Sequence, residues 1–440
     1  MSPMDYRQAW EFLDQLQFFK IKLGLDSMNE FLARLGNPHL ELPCIHIGGT
    51  NGKGSVGATL CSILSAAGYR VGFYTSPHLS SVRERFRIND KYIAKADFAR
   101  LMQKIENVLN GGQITYFECT TTLAMLWFAE QQVDFAILEV GMGGRLDATN
   151  VVTPLLSIIT NVSMDHEQYL GTTLREVATE KAGIIKENVP LVSGVATDDS
   201  GEVIEQTCRE KNAPLFLLGR DFTAAREGDS SDRWQYRGMD GFTCHDLPLA
   251  MQGSYQVANA SLAVAAVQLL RKNYRIDEEQ IRTGLARTRW PGRLEYFALP
   301  GRSGGSGGRE LRYLLDGAHN PAGVSALQRA LADDFIFRKL ILVWGAMEDK
   351  DLQTTLRRIA PLADTILFTR PESERSATPE QLRQALGEQT GSTLLQAPTV
   401  AAALEQAAEL AEPDDLICVA GSLYLVGAAR EILRGALIDG

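Results

Sequence analysis

The feature that most constrains this chain is a glycine-rich segment between a short apolar run and a helical pattern. Residues 45–47 (Ile-His-Ile) lead into Gly-Gly-Thr-Asn-Gly-Lys-Gly-Ser at 48–55. A strand, a glycine-rich turn and a helix start together form a phosphate cradle, in which backbone N–H groups and the helix dipole face the anion. We expect Lys53 to reach the β- and γ-phosphates and Ser55 to reach Mg²⁺. The loop departs from the common form, since Ile47 replaces its first glycine and Gly54 separates the lysine from the serine. An incidental glycine-rich surface turn is the alternative.

Short β-branched runs alternate with longer helical patterns along the chain. This alternation is typical of a parallel sheet covered by helices. For the first part we expect strands at residues 44–47, 70–75, 135–140, 155–160 and 190–193, helices at 55–67, 117–131 and 254–272, and a small antiparallel excursion within 214–250.

A domain boundary is predicted at residues 289–293 (Arg-Trp-Pro-Gly-Arg), where proline and glycine end the helical pattern. The alternation then restarts, with strands expected at 311–315, 339–343, 365–369 and 415–420 and helices at 322–332 and 426–433. The predicted fold class is therefore α/β. A P-loop ATPase-type domain with a mainly parallel sheet spans 1–288, a linker spans 289–293, and a smaller Rossmann-like domain spans 294–440. The Gly/Ser-rich segment 301–309 is expected to be a solvent-exposed turn between two strands.

Composition argues against several classes of protein. The 440 residues carry a formal charge of −10, which disfavours a broad nucleic-acid or anionic-membrane surface. No apolar run approaches the ~20 residues needed to cross a bilayer, and the N-terminus lacks a signal-peptide pattern. The six cysteines are scattered without Cys-x-x-Cys spacing, so free buried thiols are expected. We therefore expect a cytoplasmic monomer that binds neither nucleic acid nor membranes.

Polar groups follow three of the predicted strands. Glu139 lies near the end of the run 135–140, His166 follows the run 155–160, and Ser76 follows the run 70–75. The carboxyl ends of strands in an open α/β sheet meet at its ligand-binding edge, where the phosphate loop also lies. Glu139 is therefore predicted to bind Mg²⁺, with His166 and Ser76 as further candidate ligands. A surface glutamate and a structural histidine are the alternatives.

In wording and order, these motifs resemble those of the dihydrofolate synthase/folylpolyglutamate synthase family, a branch of the Mur ligases. The resemblance covers nearly the whole chain. It rests on residues 49–55 of the glycine loop, 76–79 (Ser-Pro-His-Leu), 116–118 (Tyr-Phe-Glu), 138–150, 165–166 (Asp-His), 180–184 (Glu-Lys-Ala-Gly-Ile), 290–294 (Trp-Pro-Gly-Arg-Leu) and 316–321 (Asp-Gly-Ala-His-Asn-Pro).

The resemblance implies an ATP-dependent ligase that joins L-glutamate to dihydropteroate and then to folates. Such an enzyme proceeds through an acyl phosphate and releases ADP and phosphate. Two Mg²⁺ ions are implied, with a monovalent cation as a further candidate. A carbamylated Lys181 is also implied, which is chemically reasonable because a carbamate can bind Mg²⁺ whereas an ammonium repels it.

The resemblance also implies roles for individual residues. The implied catalytic groups are Lys53, Glu139, His166, Lys181, Arg293 and His319. The implied ATP contacts are Gly49, Thr50, Asn51, Gly52, Lys53, Gly54, Ser55, Asn259, Arg293 and Asp316. The implied metal ligands are Ser55, Ser76, Glu139, His166 and Lys181. The implied pterin contacts are Leu23, Gly24, Thr115, Tyr116, Phe117, Glu118, Leu146, Asp147 and Ala148.

Other functions stay open at this point. A folylpolyglutamate synthase alone, or another Mur-type amide ligase, would share most of the motifs. A Mur ligase acting on a UDP-sugar peptide is expected to carry a further domain before the loop, and only 43 residues precede the first strand here. A P-loop switch or motor would hydrolyse nucleotide without a carboxylate acceptor. A binding module without catalysis would leave Lys53, Glu139 and His166 incidental.

Overall fold

The computed structural model describes residues 3–16, 24–227, 232–300, 310–371, 373, 375–387 and 391–435. The chain divides into two compact units. Unit 1 comprises Met1–Pro77, Val82–Ala250 and Val257–Thr288, and unit 2 comprises His78–Ser81, Met251–Gln256 and Arg289–Gly440. The predicted linker at 289–293 is thus counted within unit 2. Two predictions, for Leu23 and for segment 301–309, lie outside the described residues.

The main sheet of unit 1 has eight strands in the order β4-β3-β2-β5-β1-β6-β7-β8. All neighbours are parallel except the edge pairs that involve β3 and β4. Every residue of β1, β2, β5, β6 and β7 is buried, as expected for parallel strands covered on both faces. The strands are β1 (Cys44–Gly48), β2 (Val71–Tyr74), β3 (Phe86–Ile88), β4 (Lys91–Tyr92), β5 (Phe135–Glu139), β6 (Leu156–Ile159), β7 (Leu191–Ser193) and β8 (Leu215–Leu217).

The helices of unit 1 begin mostly at side-chain caps. Thr115 before α5 and Thr173 before α7 each form a reciprocal capping box with the glutamate three residues later. The helices are α1 (Tyr6–Gln15), α2 (Asp26–Arg34), α3 (Lys53–Ala66), α4 (Lys95–Leu109), α5 (Tyr116–Glu130), α6 (Glu167–Leu170), α7 (Leu174–Ala182), α8 (Asp199–Glu210), α9 (Tyr255–Leu270, in unit 1 from Val257) and α10 (Glu278–Arg287).

The antiparallel excursion predicted within 214–250 is a three-stranded sheet in the order β11-β10-β9. Its strands are β9 (Thr223–Arg226), β10 (Arg233–Arg237) and β11 (Thr243–Pro248). The excursion begins later than its predicted limit, because β8 is still a parallel strand of the main sheet and pairs with β7.

Unit 2 contains a six-stranded sheet in the order β12-β13-β17-β14-β15-β16. Only β12 is antiparallel to its neighbour. Together with unit 1, this smaller α/β unit confirms the predicted fold class. The strands are β12 (Glu295–Pro300), β13 (Glu310–Asp316), β14 (Leu340–Trp344), β15 (Thr365–Phe368), β16 (Thr393–Gln396) and β17 (Leu416–Ala420); the helices are α11 (Pro321–Asp333), α12 (Leu352–Ile359), α13 (Pro379–Leu386), α14 (Val400–Leu410) and α15 (Leu423–Arg434).

Two expectations drawn from composition can be compared with the structure. All six cysteines are buried and free, which confirms the prediction made from their spacing. Among the described residues, no helix combines the length and apolarity needed to span a membrane.

Candidate active site

The phosphate loop connects β1 to α3 at the carboxyl end of the central strand. Gly52 precedes α3 with φ +84°, a left-handed conformation that glycine adopts without strain. Gly49 has φ +137°, and a Cβ at this position would lie 1.9 Å from Thr160 Oγ1. The local geometry therefore requires glycine at both positions.

The loop is held in shape by the residues that follow β6. Thr50 N donates to Asn161 O over 3.0 Å, and Asn51 N donates to Asn161 Oδ1 over 3.0 Å. Asn51 O in turn accepts from Thr160 Oγ1 at 2.6 Å and from Asn161 Nδ2 at 2.9 Å. The sequence analysis missed Thr160 and Asn161. Their position at a strand end, the same criterion that identified Glu139, could have found them.

Two side chains implied in nucleotide binding lie at the loop. Lys53 Nζ donates to the carbonyl oxygens of Gly49 and Thr50, each over 3.1 Å, so its ammonium is held against the loop backbone. Asn259, in α9, lies directly beside the loop, because a Cβ on Gly52 would be 2.5 Å from Asn259 Oδ1. This contact joins two segments that lie far apart in sequence.

Glu139 ends β5, which neighbours β1 in the sheet. Its backbone pairs with Ile47, two residues before the phosphate loop. The carboxylate is 5% exposed and accepts a hydrogen bond from Ser76 N over 3.2 Å. Ser55 is also buried, in the first turn of α3. The structure thus brings Glu139 and Ser76 together and places Glu139 at the strand end beside the loop.

Lys181 is a buried amine close to the loop lysine. It lies in the last turn of α7 and is 3% exposed. Burial, reinforced by the like charge of Lys53, lowers the pKa of Lys181 from 10.5 to about 7, against the opposing effect of Asp165 and Asp147. Lys53, Asp165 and Asp147 each act on the charge of Lys181, so these four residues make up one electrostatic cluster around Lys181. An amine with this pKa has a substantial neutral, nucleophilic fraction at neutral pH, unlike an ordinary lysine.

The donor chemistry around this cluster suits a hard divalent cation. Glu139 and Ser55 supply buried oxygen atoms of the kind that Mg²⁺ prefers. His166 follows Asp165 with φ +52° and a side chain 37% exposed, its Nε2 lying 4.0 Å from Asp165 Oδ1. In the described ranges, no group of three or more His, Cys, Asp or Glu residues is arranged to hold a metal.

The segment after β5 is anchored on α7. Arg145 forms an ion pair of 2.7 Å with Glu180, and Arg145 N donates to Glu180 O over 2.8 Å. Asn150 Nδ2 donates to Arg145 O and to Gly183 O. These bonds connect the segment 141–150 to the helix that carries Lys181.

The residues implied in pterin binding lie on α5 and in the segment after β5. Phe117 packs against the backbone at Gly141, where a Cβ would lie 2.5 Å from its ring. Glu118 Oε2 accepts from Thr115 N and Oγ1, while its Oε1 accepts from Ser27 Oγ at 2.7 Å. The hydrogen bond from Ser27 connects α2 to Glu118 on α5. Gly24, which is also implied in pterin binding, lies three residues before Ser27. The Arg85 guanidinium lies over the Tyr116 ring, 5.2 Å from its centroid.

Residues 146–148 form another segment implied in pterin binding, and two of these three residues are buried. Asp147 and Ala148 are each 7% exposed. Asp147 caps a short 3-10 turn that begins at Ala148, and Leu146 is the residue immediately before it.

In unit 2, the implied ligand residues gather at the end of β13. Asp316 is 4% exposed and accepts from Leu294 N and Ala318 N, each over 2.9 Å. Burial raises the pKa of Asp316, and the positive charge of Arg293 opposes that rise. His319 Nδ1 lies 2.8 Å from Gly317 O. Within this unit the structure therefore places Arg293, Asp316 and His319 around one strand end.

Comparison with known proteins defines the class of the chain. Residues 47–267 match the Mur ligase middle domain, and residues 292–423 match the Mur ligase glutamate ligase domain. The dihydrofolate synthase/folylpolyglutamate synthase of Bacillus subtilis is 33% identical over 439 residues, covering 98% of this chain and 99% of the relative. A probable bifunctional folylpolyglutamate synthase/dihydropteroate synthase of Haloferax volcanii is 35% identical over 452 residues, covering 99% of this chain and 51% of the relative.

Solved structures agree with these matches. A folylpolyglutamate synthase of Mycobacterium tuberculosis complexed with ADP superposes with a TM-score of 0.89 at 33% identity, covering 98% of each chain. The E. coli FolC in complex with DHPP and ADP superposes with a TM-score of 0.86 at 31% identity, covering 97% of each chain. The chain belongs to the dihydrofolate synthase/folylpolyglutamate synthase family of Mur ligases. It spans about half the length of the first two curated relatives it matches, both haloarchaeal, and nearly all of the Bacillus relative.

Proposed function

We propose that this chain is an ATP-dependent ligase that joins L-glutamate to dihydropteroate, as dihydrofolate synthase, and to folates, as folylpolyglutamate synthase. One observation carries the proposal beyond family membership. A buried amine with a pKa of about 7 lies beside the phosphate-loop lysine and two carboxylates. A nucleotide switch needs only the loop and a metal ligand, whereas a ligase must also offset the charge of a second anion at the γ-phosphate. An amine that can become an anionic metal ligand would provide for this by helping to hold a second cation.

The chemical problem is the approach of two anions. A substrate carboxylate and the γ-phosphate repel each other by about 1 kcal/mol at 4 Å in water and by about 4 kcal/mol at an effective dielectric of 20. Lys53 and the amino end of α3 supply positive charge at the loop. Asn161 fixes the loop backbone through Thr50 N and Asn51 N, so the other loop N–H groups bind the phosphates without reorganisation.

Lys181 acts in this proposal as a carbamate. Its neutral amine attacks CO₂, a C–N bond forms, and one proton is lost to solvent, which leaves an anionic oxygen ligand. Glu139, Ser55, Ser76, His166 and carbamylated Lys181 would hold up to two Mg²⁺ ions, which stabilise charge on the transferring phosphoryl group when bound. Carbamylation removes a buried positive charge that would otherwise repel that cation.

The reaction then follows from the charges in place. The carboxylate oxygen of the pterin substrate attacks the γ-phosphorus, the bond to the β-phosphate oxygen breaks, and ADP leaves. The α-amine of L-glutamate attacks the resulting acyl phosphate, so an amide forms and phosphate leaves with the proton balance going to solvent. Thr115–Glu118 and residues 146–148 bind the pterin in this scheme, together with the segment at Gly24.

For unit 2 we propose that Arg293 and Asp316 contribute to nucleotide binding, and that His319 contacts phosphate or glutamate. Asn259 contributes from unit 1, where it lies against Gly52 of the loop. The match of residues 292–423 to a glutamate ligase domain supports the assignment of glutamate to this unit.

ADP release by the purified protein tests the proposal. Dihydropteroate and tetrahydrofolate are each supplied with ATP and Mg²⁺, with and without L-glutamate, and the products are identified by mass. Glutamate-dependent release with both acceptors is expected. Release with tetrahydrofolate alone would restrict the chain to folylpolyglutamate synthesis. Release that needs no acceptor would instead favour a nucleotide switch, and no release with either pterin would refute the folate assignment.

Lys53→Ala and Glu139→Ala serve as site controls for this assay. Each is expected to abolish ADP release while the thermal unfolding profile stays that of a folded protein. Wild-type rates in either variant would contradict the proposed site.

A further inference from the structure

A buried chain of hydrogen bonds crosses from β1 to the segment after β5. His46, in the middle of β1, places its Nε2 2.8 Å from Thr149 Oγ1. Thr149 Oγ1 donates to Asp147 Oδ1 at 2.5 Å. His46 and Thr149 are 0% exposed and Asp147 is 7% exposed, so water does not compete for these bonds. Nothing in the proposed function uses His46 or Thr149.

The donor and the acceptor in each of these hydrogen bonds follow from the chemical groups involved. A threonine hydroxyl has one proton, and the short bond to Asp147 Oδ1 uses it, since that oxygen also accepts from Thr149 N. His46 must therefore donate from Nε2, which makes it the neutral Nε2–H tautomer. Burial, with Lys186 adding to its effect, lowers the pKa of His46 to about 3, in agreement with a neutral ring. Its Nδ1 is then only an acceptor, and none of the residues that the structure describes forms a hydrogen bond with this buried atom.

Asp147 is oriented from both sides. Its Oδ1 accepts from Thr149 Oγ1 and from Thr149 N at 3.0 Å, and its Oδ2 accepts from Met142 N at 2.9 Å. The carboxylate plane is therefore fixed relative to the segment 141–149, and through His46 it is fixed relative to the strand that leads into the phosphate loop.

We infer that His46 and Thr149 are positioning residues that hold Asp147 and the segment 141–149 in the shape that recognises the pterin ring of the acceptor. A pterin ring carries an amino group and a ring N–H side by side, and both are hydrogen-bond donors. Its recognition by segment 141–149 therefore depends on how the hydrogen-bond acceptors of that segment are oriented. This inference rests on the proposed function, because it takes the pterin as the ligand of this segment. These hydrogen bonds therefore affect the binding of the pterin substrate and leave the phosphate loop itself unchanged.

Two pairs of variants separate this role from simple packing. His46→Leu keeps an apolar side chain of similar size and removes the donor, whereas His46→Gln keeps a donor near the Nε2 position. Thr149→Val removes the hydroxyl at constant volume, whereas Thr149→Ser retains it. Thr207→Val is the matched control, since Thr207 Oγ1 donates to Val203 O within α8, away from the implied pterin site. The KM values for dihydropteroate and for ATP are measured for each variant, with thermal unfolding as a folding check.

We expect His46→Leu and Thr149→Val to raise the KM for dihydropteroate by about tenfold or more, since Thr149→Val removes a hydrogen bond to the Asp147 carboxyl group and His46→Leu leaves the buried Thr149 hydroxyl without its donor. The KM for ATP should stay within about twofold, and the Gln and Ser variants should restore acceptor binding. Unchanged acceptor KM in the Leu and Val variants would overturn the inference. So would parallel rises in both KM values, or a failure of Gln and Ser to rescue. If His46→Leu does not fold, the Thr149 pair decides alone.

Failure of this inference differs from failure of the proposed function. A wild-type protein that turns over neither pterin acceptor refutes the function. A wild-type protein that turns over both, with variants that bind dihydropteroate normally, refutes only the positioning role.

Discussion

Replacement of Lys181 by methionine should stabilise the protein at low pH while abolishing ligation. Burial and Lys53 lower the pKa of this amine from 10.5 to about 7. The unfolded chain therefore binds more protons than the folded one between these two values, and stability rises with pH across that window. Below pH 7 the folded state carries the full penalty of a buried ammonium. Near pH 10.5 the penalty has vanished.

The size of the effect follows from the same two values. The difference between 10.5 and about 7 corresponds to about 5 kcal/mol when the ammonium is fully charged, at 1.36 kcal/mol for each pH unit. Methionine has similar length and no charge, so Lys181→Met should be more stable than the wild type by a few kcal/mol at pH 6. Most of this advantage should be lost by pH 10.

Denaturant unfolding at pH 6, 8 and 10 measures this difference. Buffers free of CO₂ keep the wild-type amine unmodified. Lys211→Met, at an exposed lysine, is the matched control and should show no such trend. An advantage of Lys181→Met that is equal at pH 6 and pH 10, or a loss of stability at pH 6, would refute the electrostatic reasoning. Added bicarbonate should raise the ligation rate of the wild type and leave the variant inactive.

Three further predictions concern the loop and the implied pterin site. Gly49→Ala should abolish ADP binding by calorimetry, because the new Cβ would lie 1.9 Å from Thr160 Oγ1. Gly68 also has a positive φ, +88°, but a Cβ there meets open space, so Gly68→Ala should lose only about 1–2 kcal/mol of stability and bind ADP normally. Asn161→Ala removes the acceptor of Asn51 N and should weaken ADP binding about tenfold, whereas an unchanged dissociation constant would show that the loop holds its own shape. Ser27→Ala removes the bond to Glu118 Oε1 and should raise the KM for dihydropteroate several-fold with the KM for ATP unchanged; a rise in both would point to a general loss of structure.

Local pattern was sufficient to predict the parts of the site that lie next to each other in sequence. The phosphate loop needs a strand, glycines at special backbone angles and a helix start, and all of these fall within residues 44–66. Glu139 was predicted because it ends a buried strand before a glycine-rich turn. The predicted strands of both sheets match for the same reason, since β-branched runs bounded by turns mark them independently of their partners.

Contacts between distant segments could not be predicted in this way. The bond from Ser27 to Glu118 spans 91 residues, and that from His46 to Thr149 spans 103. Helices α1 and α2 and the edge strands β3 and β4 also went unpredicted, because their patterns are short and half-exposed. The low pKa of Lys181 depends on burial and on Lys53, neither of which appears in the wording Glu-Lys-Ala-Gly-Ile.

The electrostatics of the loop region explain why two lysines lie close together in a chain of net charge −10. An acidic protein that binds a polyanionic nucleotide must concentrate positive charge where the phosphates lie, and Lys53 does so at the start of α3. A second ammonium nearby is repelled, which is part of why the pKa of Lys181 falls. The fall makes the amine neutral and reactive near neutral pH, so the same repulsion that destabilises the charged lysine favours its conversion to an anion. A carbamate in that position would attract Lys53 and a metal ion together, and the arrangement that is unfavourable for two ammonium groups becomes favourable once one of them changes sign.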